Sequence, residues 1–225
     1  MKKTLYILPW VIVVLLLVWT AVSYFFDRSI KTPAYTVVEK REGYEIRAYE
    51  AYLTAQVEVS GTYDEALNQG FRVLADYYIF GNNTKQVGMA MTAPVTEAES
   101  EKLAMTAPVM EKESEVLAMT APVVETGDNT KRIISFVMPS QYTLETLPTP
   151  NNPAVKIVPQ EARKVAALRF AWFRNTERVV EKKQALLTFL ERDSLIPKGV
   201  PEYAGYNAPF TAPWLVRNEA LVEIE

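Results

Sequence analysis

Ala90-Met91-Thr92-Ala93-Pro94-Val95 is followed by two more copies of itself, Ala104-Met105-Thr106-Ala107-Pro108-Val109 and Ala118-Met119-Thr120-Ala121-Pro122-Val123. Successive copies start 14 residues apart. Acidic stretches fill the spaces, Thr96-Glu97-Ala98-Glu99-Ser100-Glu101 and Glu111-Lys112-Glu113-Ser114-Glu115. A short apolar run, a charged turn and the same run again predict a β-meander. Three units this short are too few for a solenoid, so the repeat is a local tandem duplication inside one sheet. Proline has no N–H for a ladder, which puts Pro94, Pro108 and Pro122 at strand edges, ends or bulges. Glu99, Glu101, Glu113 and Glu115 are expected in solvated turns, because a calcium loop needs denser Asp/Asn alternation.

Before the repeat, residues 35–39 and 44–49 suggest paired strands around Arg41-Glu42-Gly43. Leu53, Ala55, Val57 and Val59 alternate with polar neighbours, the pattern of a half-buried strand. Thr62 followed by Glu65 is a capping box. It opens a helix with the apolar stripe Leu67, Phe71, Leu74 and Tyr78, ended near Gly81. After the repeat come a strand at 132–138, a proline-rich joint at 148–153, and strands at 155–158 and 165–173. Asn175 can cap a second helix at 176–192, with Val179, Val180, Leu186, Leu187 and Leu190 on one face. Residues 197–213 suggest a long loop and residues 216–224 a closing strand. Each half thus has strands, one helix and more strands, an α+β pattern.

Several segments together resemble the SOUL haem-binding protein family. The Met-Thr-x-Pro-Val unit is that family's hallmark, often present in two copies. Tyr44-Glu45-Ile46-Arg47-x-Tyr49 is similar to its opening strand. Phe136-Val137-Met138-Pro139-Ser140-x-Tyr142 is similar to its Phe-x-x-Pro-Ser-x-Tyr segment. Gly205-Tyr206-Asn207-x-Pro209 and Arg217-Asn218-Glu219 resemble its C-terminal signature. The resemblance implies a distorted antiparallel β-barrel of two pseudo-symmetric halves with two helices, over residues 34–225. It also implies a haem or other tetrapyrrole ligand.

Residues 5–26 are 22 nearly uninterrupted apolar positions. That is long enough to cross a bilayer core, which takes roughly 20 residues. The predicted organisation is a short tail at 1–4, a transmembrane anchor at 5–26, a linker at 27–33 and the SOUL-like domain at 34–225. Trp10, Trp19 and Tyr24 suit the membrane interfaces. The rival reading is a signal peptide processed near Ala21-Val22-Ser23, although its apolar region would exceed the usual ~7–15 residues. Lys2 and Lys3 lie on one side of the segment, Arg28 and Lys31 on the other. The positive-inside rule leans slightly towards an extracytoplasmic domain on a single-pass anchor.

The chain carries 24 basic and 27 acidic residues, net −3. Residues 1–26 hold two basic and no acidic residues, so the remainder has 22 against 27, net −5. Nucleic acid is therefore not an expected partner, since a binding surface for it needs a basic field. Protein partners are not legible. Cysteine and histidine are absent from all 225 residues. Ser-His-Asp and Cys-His catalysis, Cys/His zinc sites, covalent c-type haem attachment and an imidazole ligand to iron are excluded within this chain. No paired carboxylates stand out for acid–base work, and the expectation is a binding protein rather than an enzyme.

In the family resembled, tetrapyrroles bind at an apolar surface beside the first helix, bordered by loops of the second half. On this chain the resemblance points to Phe71, Arg72, Ala75 and Tyr78. The remaining lining would come from Gly88-Met89 or the loop at 203–213. Phe71 and Tyr78 would supply ring faces, and Arg72 or Arg169 a cation for the propionates. Iron would take Met, Tyr, a carboxylate or no axial ligand, with Met89 and Met91 nearest the helix in sequence. Two departures from the family bear on the ligand: acidic Asp76 faces the site, and Trp172 is expected to fill space. The expected function is a membrane-anchored tetrapyrrole carrier, buffer or sensor that grips largely through an apolar surface. The alternatives are a module of the same fold for another apolar ligand or a protein partner, and an enzyme that modifies tetrapyrroles.

Overall fold

The computed structural model describes residues 2–90, 92–99, 131–208 and 210–225. An N-terminal helix α1 (Lys2–Ser29) precedes β1 (Tyr35–Arg41), β2 (Tyr44–Tyr49), β3 (Tyr52–Ser60) and helix α2 (Tyr63–Tyr78). Strands β4 (Val95–Glu99), β5 (Lys131–Val137), β6 (Lys156–Gln160) and β7 (Arg163–Phe170) follow. Helix α3 (Thr176–Arg192), β8 (Pro197–Gly205), a 3-10 turn at Pro213–Leu215 and β9 (Asn218–Ile224) complete the chain. Within α1, Pro9–Arg28 is long and apolar enough to cross a membrane by length and composition.

The nine strands among the described residues form one antiparallel sheet in the order β1-β2-β7-β9-β8-β4-β5-β3-β6. The two halves are visible in that order. The unit β3-α2-β4-β5 pairs as β3·β5·β4, and β7-α3-β8-β9 pairs in the same way as β7·β9·β8. Strands β4 and β8 meet at the centre. The first strand of each half crosses over: β2 pairs with β7 and β6 with β3. Read outwards from the β4·β8 pair, the order is the same on both sides, with β1 added at one edge. The expected closure into a barrel is not found. β1 and β6 are edges, each paired on one side only, and no ladder among the described residues joins them. Pro159 accordingly sits in an edge strand, where a missing N–H costs least.

Local chemistry sets the helices. The Thr62 N–H and hydroxyl both donate to Glu65 Oε2, at 3.2 and 2.7 Å, closing the first turn of α2. Asn175 Oδ1 accepts from Arg178 N at 2.8 Å and starts α3. Both helices pack on one face of the sheet over a core that includes Leu74, Tyr77, Tyr78, Ile134, Phe136, Leu186 and Leu190. On α3, Val179, Leu186 and Leu190 turn inwards, while Val180 faces solvent. Helix α2 lies so close that a Cβ on Gly70 would fall 2.4 Å from Ile134 Cγ1. Gly70→Ala should therefore destabilise by about 1–3 kcal/mol through overpacking, despite its better helix propensity. Thermal melts followed by circular dichroism read the effect, and Gly70→Ala should cost less in an Ile134→Ala background than in the parent, because the clash is then relieved.

Two sequence expectations are corrected by the sheet. The stretch 96–99, expected as a solvated charged turn, runs as β4 between β5 and β8. Glu97 there is fully buried, held by Arg132 at 2.6 Å and Lys183 at 3.1 Å. Paired charges, rather than apolar side chains, made that strand resemble a turn. The supposed loop at 197–213 is in its first part strand β8. Its register shifts between Lys198 and Glu202, so Pro201 sits in an irregularity where its missing N–H is tolerated. The second and third copies of the repeat, with Met105, Met110 and Met119, lie outside the described residues.

Candidate functional site

Strand alternation gives the sheet a second buried face. On β7, Val165 and Ala167 turn away from the helices, while Ala166, Leu168 and Phe170 turn towards them. The away-facing side holds Tyr49, Ala204, Tyr206 and Leu221. In their midst Glu219 is fully buried. Arg47 donates to both its oxygens, at 2.7 and 3.1 Å; the Tyr206 hydroxyl donates at 2.7 Å and Arg217 Nε at 2.9 Å. Burial alone would raise the Glu219 carboxyl; the Arg47 hydrogen bonds and the Arg217 charge outweigh it and hold the group below the usual glutamate value. Burial pushes the Tyr206 hydroxyl well up, helped by the Glu219 charge. A cluster like this, with the Glu219 carboxylate satisfied by three side chains, positions strands; the buried Tyr49 hydroxyl beside it has no hydrogen-bond partner.

The site expected beside α2 is distributed differently by the structure. Tyr78, Ala75 and Met89 are buried, and Phe71 is half-buried edge-on to Phe136. The Tyr78 hydroxyl donates to the Ala90 carbonyl and is paired with Thr92 Oγ1. Burial raises it to about 12, so at neutral pH it is a phenol already engaged and not a phenolate. Arg72 is exposed on the outer side of α2. Arg169, the other cation considered, lies across the sheet, on the face opposite the helices. The two cannot grip one ligand. The Asp76 carboxylate is held by Asn82 at 2.5 Å, and Trp172 is 55% exposed rather than filling space. Met91 lies outside the described residues.

The concave surface is elsewhere. A cleft of about 430 Å³ opens at the end of the sheet where β3 begins and β5 and β6 end. That volume falls within the roughly 300–1,000 Å³ of typical small-molecule sites. Its apolar lining includes Tyr52, Leu53, Met138, Tyr142 and Leu144, with Lys31 as the cation at its rim. Thr92 and Val137 form part of the wall, joined by a hydrogen bond from Thr92 Oγ1 to the Val137 carbonyl. Tyr78 therefore stands directly behind this wall, through Thr92. The linker after α1 borders the same cleft, because Lys31 bridges Thr92 and the Lys31 carbonyl accepts from Ala93 N at 2.9 Å. Two smaller hollows, about 260 and 400 Å³, flank Arg169 on the away-facing side. Among the described residues no group of three or more acidic side chains could hold a metal ion.

The cleft offers rings and aliphatic groups for a flat apolar face, one buried methionine, Met138, and a lysine able to meet a propionate, set against two carboxylates, Glu50 and Glu161. Sequence reasoning missed Lys31, Tyr52, Met138 and Leu144 as lining residues. The signal was present in the segments that carry the resemblance, since Thr92 and residues 137–140 and 142 all line this cleft.

The model of the SOUL heme-binding protein family matches residues 30–223. No curated protein matches the chain. The crystal structure of the EcmrR C-terminal domain is similar at 9% identity over 85% of this chain and 98% of that one, with a TM-score of 0.53. EcmrR in a cryo-EM complex with DNA is similar at 10% identity over 100% of this chain and 70% of that one, with a TM-score of 0.51. A hydrolase from Listeria innocua aligns at 12% identity over 84% and 94%, with a TM-score of 0.47. At these identities the likeness concerns the fold alone.

Proposed function

Since the chain belongs to the SOUL haem-binding protein family, we propose that it is a membrane-anchored tetrapyrrole-binding protein, a carrier or buffer rather than an enzyme, that takes its ligand in the cleft beside Tyr142. The observation that carries this reading is that the family-like segments, Thr92 with residues 137–140 and Tyr142, line this cleft of about 430 Å³. Tyr52, Tyr142 and Leu144 would pack on the macrocycle and Lys31 would meet a propionate. A bound haem would supply iron for redox or gas chemistry. The chain's own part is to hold the ring and shield one face of it. Without histidine or cysteine, the lining side chains that could meet a metal would be Met138, Tyr52, Tyr142, Glu50 or Glu161, and grip would come mainly from the ring face. The apolar span in α1 would anchor the domain, extracytoplasmic by the slight charge lean, and the net-acidic domain is not assigned a nucleic-acid partner.

Titration of the full chain in detergent with haemin and with metal-free protoporphyrin, followed by absorbance, tests the function. Saturable binding of both is expected, and no saturable binding of either defeats the proposal. Leu144→Asp and Lys31→Glu, both at exposed positions, should weaken each ligand about tenfold or more, worth ~1.4 kcal/mol. Arg72→Glu should leave affinity within about twofold. The opposite pattern would move the site to the outer face of α2, around Phe71 and Arg72.

A further inference from the structure

α1 does not stand apart from the domain. Trp19 Nε1 donates to the Phe210 carbonyl at 2.8 Å. Its ring packs edge-on to Trp214 at 5.5 Å, and Phe26 packs on Phe210 at 4.9 Å. Ser23, a hydroxyl inside the apolar run, is fully buried and accepts from Ala212 N at 3.0 Å. Nearer the polar end, Asp27 accepts from Asn207 and Thr211.

Length makes these contacts informative. Trp19 lies nine residues before Arg28, about 14 Å along a helix rising 1.5 Å per residue. If everything from Trp19 onwards stood in water, residues 5–18 alone would remain for the hydrocarbon. They span about 21 Å, well short of the ~30 Å core. An anchor that spans the bilayer therefore brings the loop around Phe210 and Trp214 down with it. Irregular backbone at membrane depth needs its polar groups paired inside the protein. The Trp19 and Ser23 bonds to the loop's backbone do that. The loop also presents apolar surface outwards: Phe210 is 49% and Trp214 43% exposed. Trp172 and Phe173 extend the patch, because Trp172 N donates to the Pro213 carbonyl at 3.2 Å. Trp172 holds φ of +74°, uncommon for a bulky residue, and its carbonyl accepts from Asn218 Nδ2 at 2.8 Å. Aromatic side chains of this kind gather at the membrane–water interface.

We infer that residues 210–214 with Trp172 and Phe173 form a wedge that sits in the interfacial zone of the same membrane α1 crosses. This rests on the reading of α1 as an anchor. The wedge would hold the domain in a fixed pose, with the linker side of the Tyr142 cleft close to the membrane surface.

The chain has no cysteine of its own, so single-cysteine nitroxide labels report depth cleanly. The full chain is placed in phosphatidylcholine vesicles with labels at Trp172→Cys, Trp214→Cys, Leu15→Cys and Ile196→Cys, the last exposed just before β8 begins, at the end of that strand away from the loop. Relative access of oxygen and of a water-soluble nickel chelate is then read by electron paramagnetic resonance. Trp172 and Trp214 labels shielded from nickel, with Ile196 open to it and Leu15 deep in lipid, is the expected result. Trp172 makes no ring contact with α1, so its label remains valid if Trp214→Cys disturbs the packing. Water-exposed labels at both positions with Leu15 still in lipid would overturn the wedge and leave the anchor standing. A water-exposed Leu15 label would overturn the anchor and the wedge with it.

Discussion

Glu219→Ala should lower the unfolding free energy by about 3–5 kcal/mol, the range for breaking a buried ion pair by removing one partner. A typical domain has only ~5–15 kcal/mol to lose. The size follows from what stays behind. Arg47 is 3% exposed, and its guanidinium would keep the partly exposed Glu45 carboxylate at 3.0 Å and the Tyr35 ring at 4.7 Å. Arg217 and the Tyr206 hydroxyl would point into the same emptied space. Two like charges and an unpaired hydroxyl in a low-dielectric cluster cost far more than the pair gave when intact. Glu219→Gln should cost less, because one carbonyl can still accept from Arg47. Urea unfolding of the detergent-solubilised chain, followed by near-ultraviolet circular dichroism, measures both. The pH dependence has a definite sign. Glu219 is held below the ordinary glutamate value in the folded chain. Its contribution is therefore present above the unfolded pKa of about 4.3 and is lost as pH falls through the lower folded value. The fall in stability below about pH 4 should be shallower in Glu219→Gln than in the parent. Equal slopes would mean that the carboxyl titrates alike in both states.

What could be read from the sequence divides along physical lines. Helix α2 was legible because Thr62 and Glu65 mark its start and Leu67, Phe71 and Leu74 recur at helical spacing. The two halves were legible from the repeated order of elements. The crossed pairing of β2 with β7 and β6 with β3 was not, because partner choice between strands depends on contacts over a hundred residues apart and leaves no periodicity. The open edges at β1 and β6 were hidden for the same reason. β4 was hidden by Glu97, whose cost of burial is offset by Arg132 and Lys183 from elsewhere in the chain. The candidate cleft was half legible: residues 136–142 stood out as a segment, yet the site was sought at α2, where Tyr78 is buried in the core and Phe71 is half-buried against it. A stripe at helical spacing reports which side of a helix is apolar, and that side is the one the sheet covers.

Glu97→Ala should destabilise by about 3 kcal/mol, the lower end of the same range. Its carboxylate is as deeply buried as that of Glu219, but its partners are less so. Arg132 and Lys183 are 14% and 16% exposed, so each can recover part of its hydration when the carboxylate is lost, and Arg132 keeps its place over the Tyr63 ring at 5.6 Å. The position matters as much as the magnitude. Glu97 stands on β4, which meets β8 at the centre of the sheet. Arg132 comes from β5 in the first half, and Lys183 reaches across from α3 in the second. One carboxylate thus ties both halves on the helix-covered face. Lys183→Met removes only the tie to the second half, leaving Glu97 with Arg132, and should cost about 1.5–2 kcal/mol, the lower end of the range for a charged hydrogen bond. If the link between halves is what counts, hydrogen exchange should speed up in β4, β8 and α3 of Lys183→Met while β3 and β5 keep their protection. Uniform acceleration across all strands would show instead that the pair supports the whole sheet and has no particular part in joining its halves.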